Sequence, residues 1–416
     1  MDNQQIIVIG GGAAGLMAAG WAANDGARIL VLEKMKSSGR KLCITGKGRC
    51  NITNIIDLPE FILHFDKQGK FLRQAFNQFF NTDLISFLHD LGLQTVTERG
   101  GRVFPASGKA SDVRDVLLKW AQQRGAQIQY NTPVNRLILS DGRLTGVDSR
   151  GKTFPCSAVI LATGGASYPT TGSTGDGYQL AADVGHSIIP IRPALVPLET
   201  GGEITSRMQE LNLRNILVRL LVNNKKKQEI FGELVFTEFG VTGPTILTLS
   251  AAAVDAIRNG LQVTLSLDLK PALDEKKLES RLQRDIASRG NEQLTSLLGG
   301  LLPRQMIPVC LELNDLSGAR TGNTVTAKER RRLRCWLKDF RLEVTGYRPF
   351  TEAIVTAGGV NTKEIDPRTM QSVLLPGLFI VGELLDIHGD TGGYNLQAAF
   401  STGWLAGKAA SSQLAT

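Results

Sequence analysis

Ile6-Ile7-Val8-Ile9-Gly10-Gly11-Gly12-Ala13-Ala14-Gly15 decides how this chain is read. A β-branched run leads straight into Gly-x-Gly-x-x-Gly, and a small-residue helix is predicted over Leu16 to Ala23. A second apolar run, Ile29-Leu30-Val31-Leu32, ends on Glu33. A glycine pattern alone is weak evidence, but between two strands and at the mouth of a helix it is a dinucleotide-binding fingerprint. Gly10 permits the tight turn, Gly12 lets a pyrophosphate approach bare backbone, and Gly15 lets the helix pack close to the sheet. The phosphates then lie at a helix N-terminus, where free N–H groups and the dipole favour anions. Glu33 is placed to accept hydrogen bonds from ribose hydroxyls, and its charge repels a 2′-phosphate. The pattern therefore points to FAD or NAD rather than NADP. Ala14 and Lys34 belong to the same expected pocket.

A chain of 416 residues is too long for one ordinary core and predicts two or three domains. Hydrophobic content of 42% and charged content of 21% are those of a globular, soluble protein. No basic–apolar–small cleavage pattern opens the sequence, and no apolar run reaches the ~18–20 residues of a membrane span. Five cysteines without repeated close pairs fit a reducing compartment. The expectation is a cytoplasmic protein with no membrane partner. Its net charge of +8 suits either an anionic partner such as nucleic acid or a merely soluble surface, and a bound FAD absorbs part of it.

Beyond Glu33, the stretch from Gly39-Arg40-Lys41 through Gly46-Lys47-Gly48-Arg49-Cys50-Asn51 to Asn54 is dense in glycine and cations. It reads as neither helix nor strand, but as a loop that wraps a phosphate-bearing ligand or else lies free at the surface. Residues 61–92 read as helical, with Phe61, Phe65, Phe71, Phe76, Phe80 and Phe87 as anchors. A hairpin is expected around Gly100 to Pro105, and Ser111 and Asp112 offer caps to a helix ending near Gln123. A meander turning at Asp141-Gly142 feeds the buried strand Ala158 to Leu161 and the turn Ala162-Thr163-Gly164-Gly165.

Pro190, Pro193 and Pro197 mark a change of character. The expected architecture is α/β: a Rossmann-like FAD-binding domain over 1–190 and 350–416, interrupted by a small β-barrel. That barrel takes 191–272 and 340–349, and is itself interrupted by a helical insert at 273–339. The insert carries the cluster Lys328, Arg330, Arg331, Arg332 and Arg334.

Two features favour FAD over NAD. Gly382-Glu383 ends a late strand and places a carboxylate where a ribityl hydroxyl can bind. Gly392-Gly393-Tyr394-Asn395-Leu396-Gln397 then opens a small-residue helix whose N-terminus suits the negative charge of reduced flavin at N1/C2=O. The second feature is that no further strand–GxGxxG–helix follows residue 40, so a nicotinamide donor would visit the flavin transiently.

These segments, with Gly101-Arg102-Val103-Phe104-Pro105 and Phe236-Thr237-Glu238-Phe239-Gly240-Val241-Thr242-Gly243-Pro244, resemble the BaiN/YhiN-type, HI0933-like family of NAD(P)/FAD-dependent oxidoreductases. The similarity runs over nearly the whole chain. It implies the same interrupted Rossmann-like fold, with FAD as cofactor and NAD(P)H as transient reductant. By resemblance Arg40, Lys41, Gly48, Arg49, Cys50 and Asn51 line the FAD, and Val134 meets the adenine through its backbone. Ala162, Thr163, Gly164, Gly382, Glu383, Asn395 and Leu396 complete the pocket. Family members act on steroid-acid ring double bonds, on amino-ketones and on uracil in ribosomal RNA, so the resemblance defines the cofactor better than the substrate.

Flavin chemistry asks the protein for orientation, electrostatics and sometimes one acid or base. Cys50 is one candidate proton donor, its alternative being a small buried packing residue. His388, between Asp386 and Asp390, is the other. No ligand spacing around it supports a metal. Lys328 to Arg334, with Lys225-Lys226-Lys227, form either a solvated face or a contact for ribosomal RNA phosphates. Three functions stay open: hydride transfer to uracil in ribosomal RNA, forming dihydrouridine; a small-molecule dehydrogenase or oxidase acting on an amino-ketone or steroid-like enone; and an RNA-binding flavoprotein without turnover.

Overall fold

The computed structural model describes residues 5–23 and 27–415. Two compact units emerge, one of Met1–Ala194 with Phe350–Thr416, the other of Leu195–Pro349. In the first, five short strands form a parallel sheet in the order Leu378–Ile380, Ala158–Leu161, Gln5–Ile9, Arg28–Leu32, Gln127–Gln129. Ile6, Ile7 and Val8 are wholly buried, as befits β-branched residues of a parallel sheet covered on both faces. Ile9 pairs with Leu161 on one side and with Leu32 on the other. Gly10, Ala162 and Glu33 therefore leave the sheet at one end. Because the chain runs from the Gln5–Ile9 strand first to one neighbour and later to the other, a crevice opens past these strand ends.

Helix Ala13–Ala23 packs against helix Tyr394–Ala415. Trp21 meets Trp404 and Trp120 edge-on, each with centroids 5.9 Å apart. Residues 61–92 are helical as expected, in Leu58–Leu63, Gly69–Gln78 and Asn81–Asp90, with Phe61, Phe65 and Phe76 in the core. The hairpin pairs Thr95–Glu98 with Arg102–Pro105, whose other edge takes Thr53–Asn54. Asp141 and Gly142 both adopt the left-handed conformation of a tight hairpin turn.

Two local expectations are corrected. The glycine- and cation-rich stretch opens as a helix, Arg40–Gly48, interrupted by non-helical backbone at Thr45, Gly46 and Lys47, and it ends in the strand Thr53–Asn54. Packing of its first turn against the rest of the unit outweighs its poor helix composition. Ser111 and Asp112 lie inside helix Ala110–Gln123, because Lys109 is the extended residue before it and offers no side-chain cap. Asp112 still complements the dipole from the first turn.

In the second unit six antiparallel strands close a barrel in the order Leu198–Thr200, Gly240–Thr242, Lys225–Phe236, Asn212–Val222, Val263–Asp268, Phe340–Tyr347. Val218, Leu220, Leu234, Phe236, Leu265 and Leu267 are buried in its core. Between Asp268 and Phe340 the chain is mainly helical, in Glu275–Arg289, Leu294–Leu298, Met306–Leu313 and Ala327–Lys338. The fold class is thus the expected one, a Rossmann-type α/β unit with a barrel and helices inserted. Among the described residues no helix is long and apolar enough to cross a membrane.

Candidate functional site

The fingerprint glycines have different causes. Gly10 has φ +102° and donates its N–H to Leu32 O at 2.9 Å; a Cβ there would come within 2.6 Å of Ala162 O. At Gly15 a Cβ would stand 1.9 Å from Gly10 O. Both positions are glycine because the protein itself leaves no room. Gly12 is different: a Cβ would meet no atom of the described residues within 4 Å, and its φ lies outside the left-handed region. The fold places no demand for glycine there.

Glu33 is 9% exposed and already binds its own protein. Its Oε2 accepts the Gly11 N–H at 2.7 Å and its Oε1 the Met35 N–H at 2.8 Å. A carboxylate oxygen accepts more than one hydrogen bond, so each retains capacity for a hydroxyl. The backbone of Glu33 and Met35 accepts from Thr132 and Asn131, which brings the segment ending at Val134 alongside. Val134 is buried. Ala14 lies in the first turn of the following helix.

The cations sort into two groups. Lys34 Nζ bonds Asp176 at 2.5 Å and also Thr174. Arg40 donates to Thr170 O at 3.1 Å, while its Nε is buried with no partner among the described residues. Lys41 Nζ reaches Ser167 Oγ at 2.5 Å and Glu383 Oε2 at 2.6 Å. Glu383 Oε1 in turn accepts the Thr356 N–H at 2.7 Å. Arg49 goes elsewhere, pairing with Glu98 at 2.5 Å and lying over the Phe104 ring at 4.3 Å. Its neighbour Gly48 has φ +84° and open space at its Cβ position.

Ala162 donates its N–H to Ile9 O, and the Thr163 hydroxyl and Gly164 follow directly at the crevice end of the strand. Gly382 donates to Thr402 Oγ1 at 3.0 Å and lies against Ala14. The two family-like segments meet at Gly393: φ is +100°, a Cβ would stand 2.5 Å from the Thr53 carbonyl, and the Gly393 N–H donates to the Asn51 side-chain oxygen at 3.1 Å. Asn395 turns its amide inward, accepting from Gly389 N at 2.8 Å and donating to the carbonyls of Gly389 and Asp390. It holds the turn before the last helix. Leu396 and His388 are half-buried beside it.

Cys50 is wholly buried at φ +60°, and burial pushes its thiol up to about 12. A thiol so placed stays protonated and out of water, which favours the packing alternative over proton donation. Ser167, Thr356, Thr174 and Asp176 escaped the sequence reading. Only Ser167, close behind Gly164-Gly165, carried a nearby signal. Among the described residues no group of three His, Cys, Asp or Glu side chains is arranged to hold a metal ion.

The family model described as the HI0933-like protein Rossmann domain matches residues 4–409. A 3-dehydro-bile acid delta(4,6)-reductase of Clostridium scindens is 32% identical over 408 residues, covering 98% of each chain. A ribosomal RNA dihydrouridine synthase of Haemophilus influenzae is 30% identical over 404 residues, covering 96% of each. Among solved structures, the open conformation of a flavocytochrome c3 fumarate reductase superposes with a TM-score of 0.52 at 18% identity. It covers 99% of this chain and 79% of that one, a likeness of fold.

Proposed function

The chain belongs to the HI0933-like family and is an oxidoreductase, and from that premise we propose that it holds FAD in the crevice of its first unit and reduces an unsaturated acceptor with NAD(P)H as electron source. The observation that carries this reading is Gly12, a glycine for which the protein has no steric use, at the start of a helix where a pyrophosphate needs bare backbone. The buried Arg40 Nε, without a partner among the described residues, is a second donor suited to an anion.

In this reading Gly10, Gly12, Ala14 and Gly15 form the phosphate turn, Glu33 accepts from the ribose, and Val134 offers its backbone to the adenine. Lys34 and Arg40 add positive charge near the phosphates. Gly48, Asn51, Ala162, Thr163 and Gly164 line the middle of the cofactor. Lys41 and Gly382 set Glu383 to accept from the ribityl chain. Asn395 and Leu396 open the last helix, whose N-terminus faces the pyrimidine end of the flavin. When bound, FAD supplies two-electron hydride chemistry. The protein's part is to orient, to exclude water and to provide one proton per turnover.

For the acceptor we favour uracil in ribosomal RNA. Lys328, Arg331 and Arg332 project from helix Ala327–Lys338, whereas Arg330 and Arg334 are taken by Glu279 at 2.6 and 3.2 Å. Cations left to the solvent are what phosphate contact requires. A steroid-like enone is the second reading, favoured by the bile acid reductase relative. The test begins with the colour of the purified protein. Yellow protein that bleaches with NADH or NADPH and recovers with acceptor supports the reading. A dihydrouridine in ribosomal RNA lost with the gene selects the first acceptor, and accumulation of a metabolite enone selects the second. RNA retention without any redox cycling defeats both.

A further inference from the structure

His64, Asp390 and Tyr394 form a cluster at the start of the last helix, in which only Tyr394 belongs to a motif of the sequence. His64 Nδ1 lies 2.8 Å from Asp390 Oδ2, and its ring stacks on Tyr394 with centroids 4.0 Å apart and planes 19° from parallel. Asp390 is itself fixed: its N–H donates to His64 O at 3.0 Å, and its carbonyl accepts from Asn395 at 3.2 Å. A carboxylate on Nδ1 sets the tautomer and leaves Nε2 to exchange protons. The His64 side chain is 30% exposed, so water reaches it.

The titratable groups around this ring are Asp390 on the turn, Tyr394 on the last helix and Glu60 on its own helix. Burial and the two carboxylates push the Tyr394 phenol up to about 12, so it stays neutral. The Asp390 carboxylate and the last carbonyls of helix Leu58–Leu63, which His64 caps, place negative charge against the ring.

Resting on the reading that the flavin's pyrimidine end faces this helix start, we propose that His64 takes up a proton when the cofactor is reduced and delivers it with the hydride. Two electrons and one proton convert the oxidised flavin to its anionic reduced form. The new negative charge draws a second proton from water onto His64 Nε2. Saturation of the acceptor double bond then consumes a hydride at one carbon and the His64 proton at the other. Flavin returns to its oxidised form and the imidazole to neutral. Electrons and protons are loaded together and spent together.

The experiment needs no acceptor. Holoprotein is titrated with dithionite at a series of pH values, and the pH dependence of the flavin midpoint potential counts protons taken up per electron pair. Wild type is expected to take up two over part of the pH range. His64→Gln, with unchanged flavin content, is expected to take up one there. Asp390→Asn is expected to weaken the second uptake, because a protonated ring loses its charged partner at 2.8 Å. One proton at every pH in wild type overturns the proposal without any variant, as does an unaltered count in His64→Gln. A protein that binds no flavin sinks the underlying reading instead, so the two failures are told apart.

Discussion

Lys41 Nζ and Glu383 Oε2 stand 2.6 Å apart although 342 residues separate them, and both side chains are about one-fifth exposed. The pair joins the helix after the fingerprint to the strand end near the C-terminus, so the two distant parts of the unit meet in one ion pair. Glu383 also accepts from Ser167 and Thr356. Lys41→Met leaves that carboxylate short of its charged partner and is expected to cost about 1–3 kcal/mol. Glu383→Gln is expected to cost less in the Lys41→Met background than alone. Urea unfolding of both single variants and the double variant measures the coupling.

Gly12 and Gly15 are expected to behave oppositely when changed to alanine. At Gly15 the new methyl meets the Gly10 carbonyl, and such overpacking costs about 1–3 kcal/mol. At Gly12 it meets nothing among the described residues, so stability should stay within about 0.5 kcal/mol of wild type. FAD affinity should nevertheless fall about tenfold or more, equivalent to ~1.4 kcal/mol. Thermal unfolding of the apoprotein and flavin titration separate the two effects. Equal flavin binding by Gly12→Ala would remove the main support for the phosphate turn.

Three buried thiols make the fold sensitive to alkali. Burial raises Cys50, Cys156 and Cys310 from the ordinary 9.0 to about 12. Well below pH 9 the thiols are protonated in folded and unfolded chains alike and contribute no pH dependence. As pH rises through that value the unfolded chain loses these protons first, so unfolding becomes more favourable up to pH about 12. The urea midpoint is expected to drop between about pH 8.5 and 10.5. A variant with all three changed to alanine should show a shallower drop.

Cys50→Ala also tests the choice of proton donor. If the thiol only packs, as its burial favours, flavin content and the pH profile of turnover should stay close to wild type. A loss of turnover of about 100-fold or more with flavin intact would restore it as an acid.

Changing Lys328, Arg331 and Arg332 together to glutamine should weaken RNA binding and flatten its dependence on salt. Removing three cations from the phosphate backbone lowers the slope by roughly two to three. The paired Arg330 and Arg334 should matter less to RNA and more to stability, because each neutralises Glu279. Identical salt slopes for wild type and the triple variant would leave ribosomal RNA without support in the insert.

Much of the site was legible because it is made of contiguous backbone. Strand, glycine turn and helix at Ile6 to Ala23 follow from local pattern, and Gly10 and Gly15 occupy the positions that close packing demands. Side-chain destinations were not legible. Arg40, Lys41 and Arg49 look alike in sequence, yet they go to Thr170, to Ser167 with Glu383, and to Glu98. The helical start of Arg40–Gly48 was hidden for a related reason: its composition argues for a loop, and only its surroundings favour the helix.

By itself, then, the sequence determined the first strand, the nucleotide-type turn and the presence of an inserted β-rich module, because each depends on neighbours within a few residues. Tertiary structure alone decided that Gly393 docks on Thr53, that Cys50 lies sealed in the core, and that His64 finds Asp390. Those outcomes depend on residues hundreds of positions apart, where burial and hydrogen-bond geometry choose a partner that no local pattern specifies.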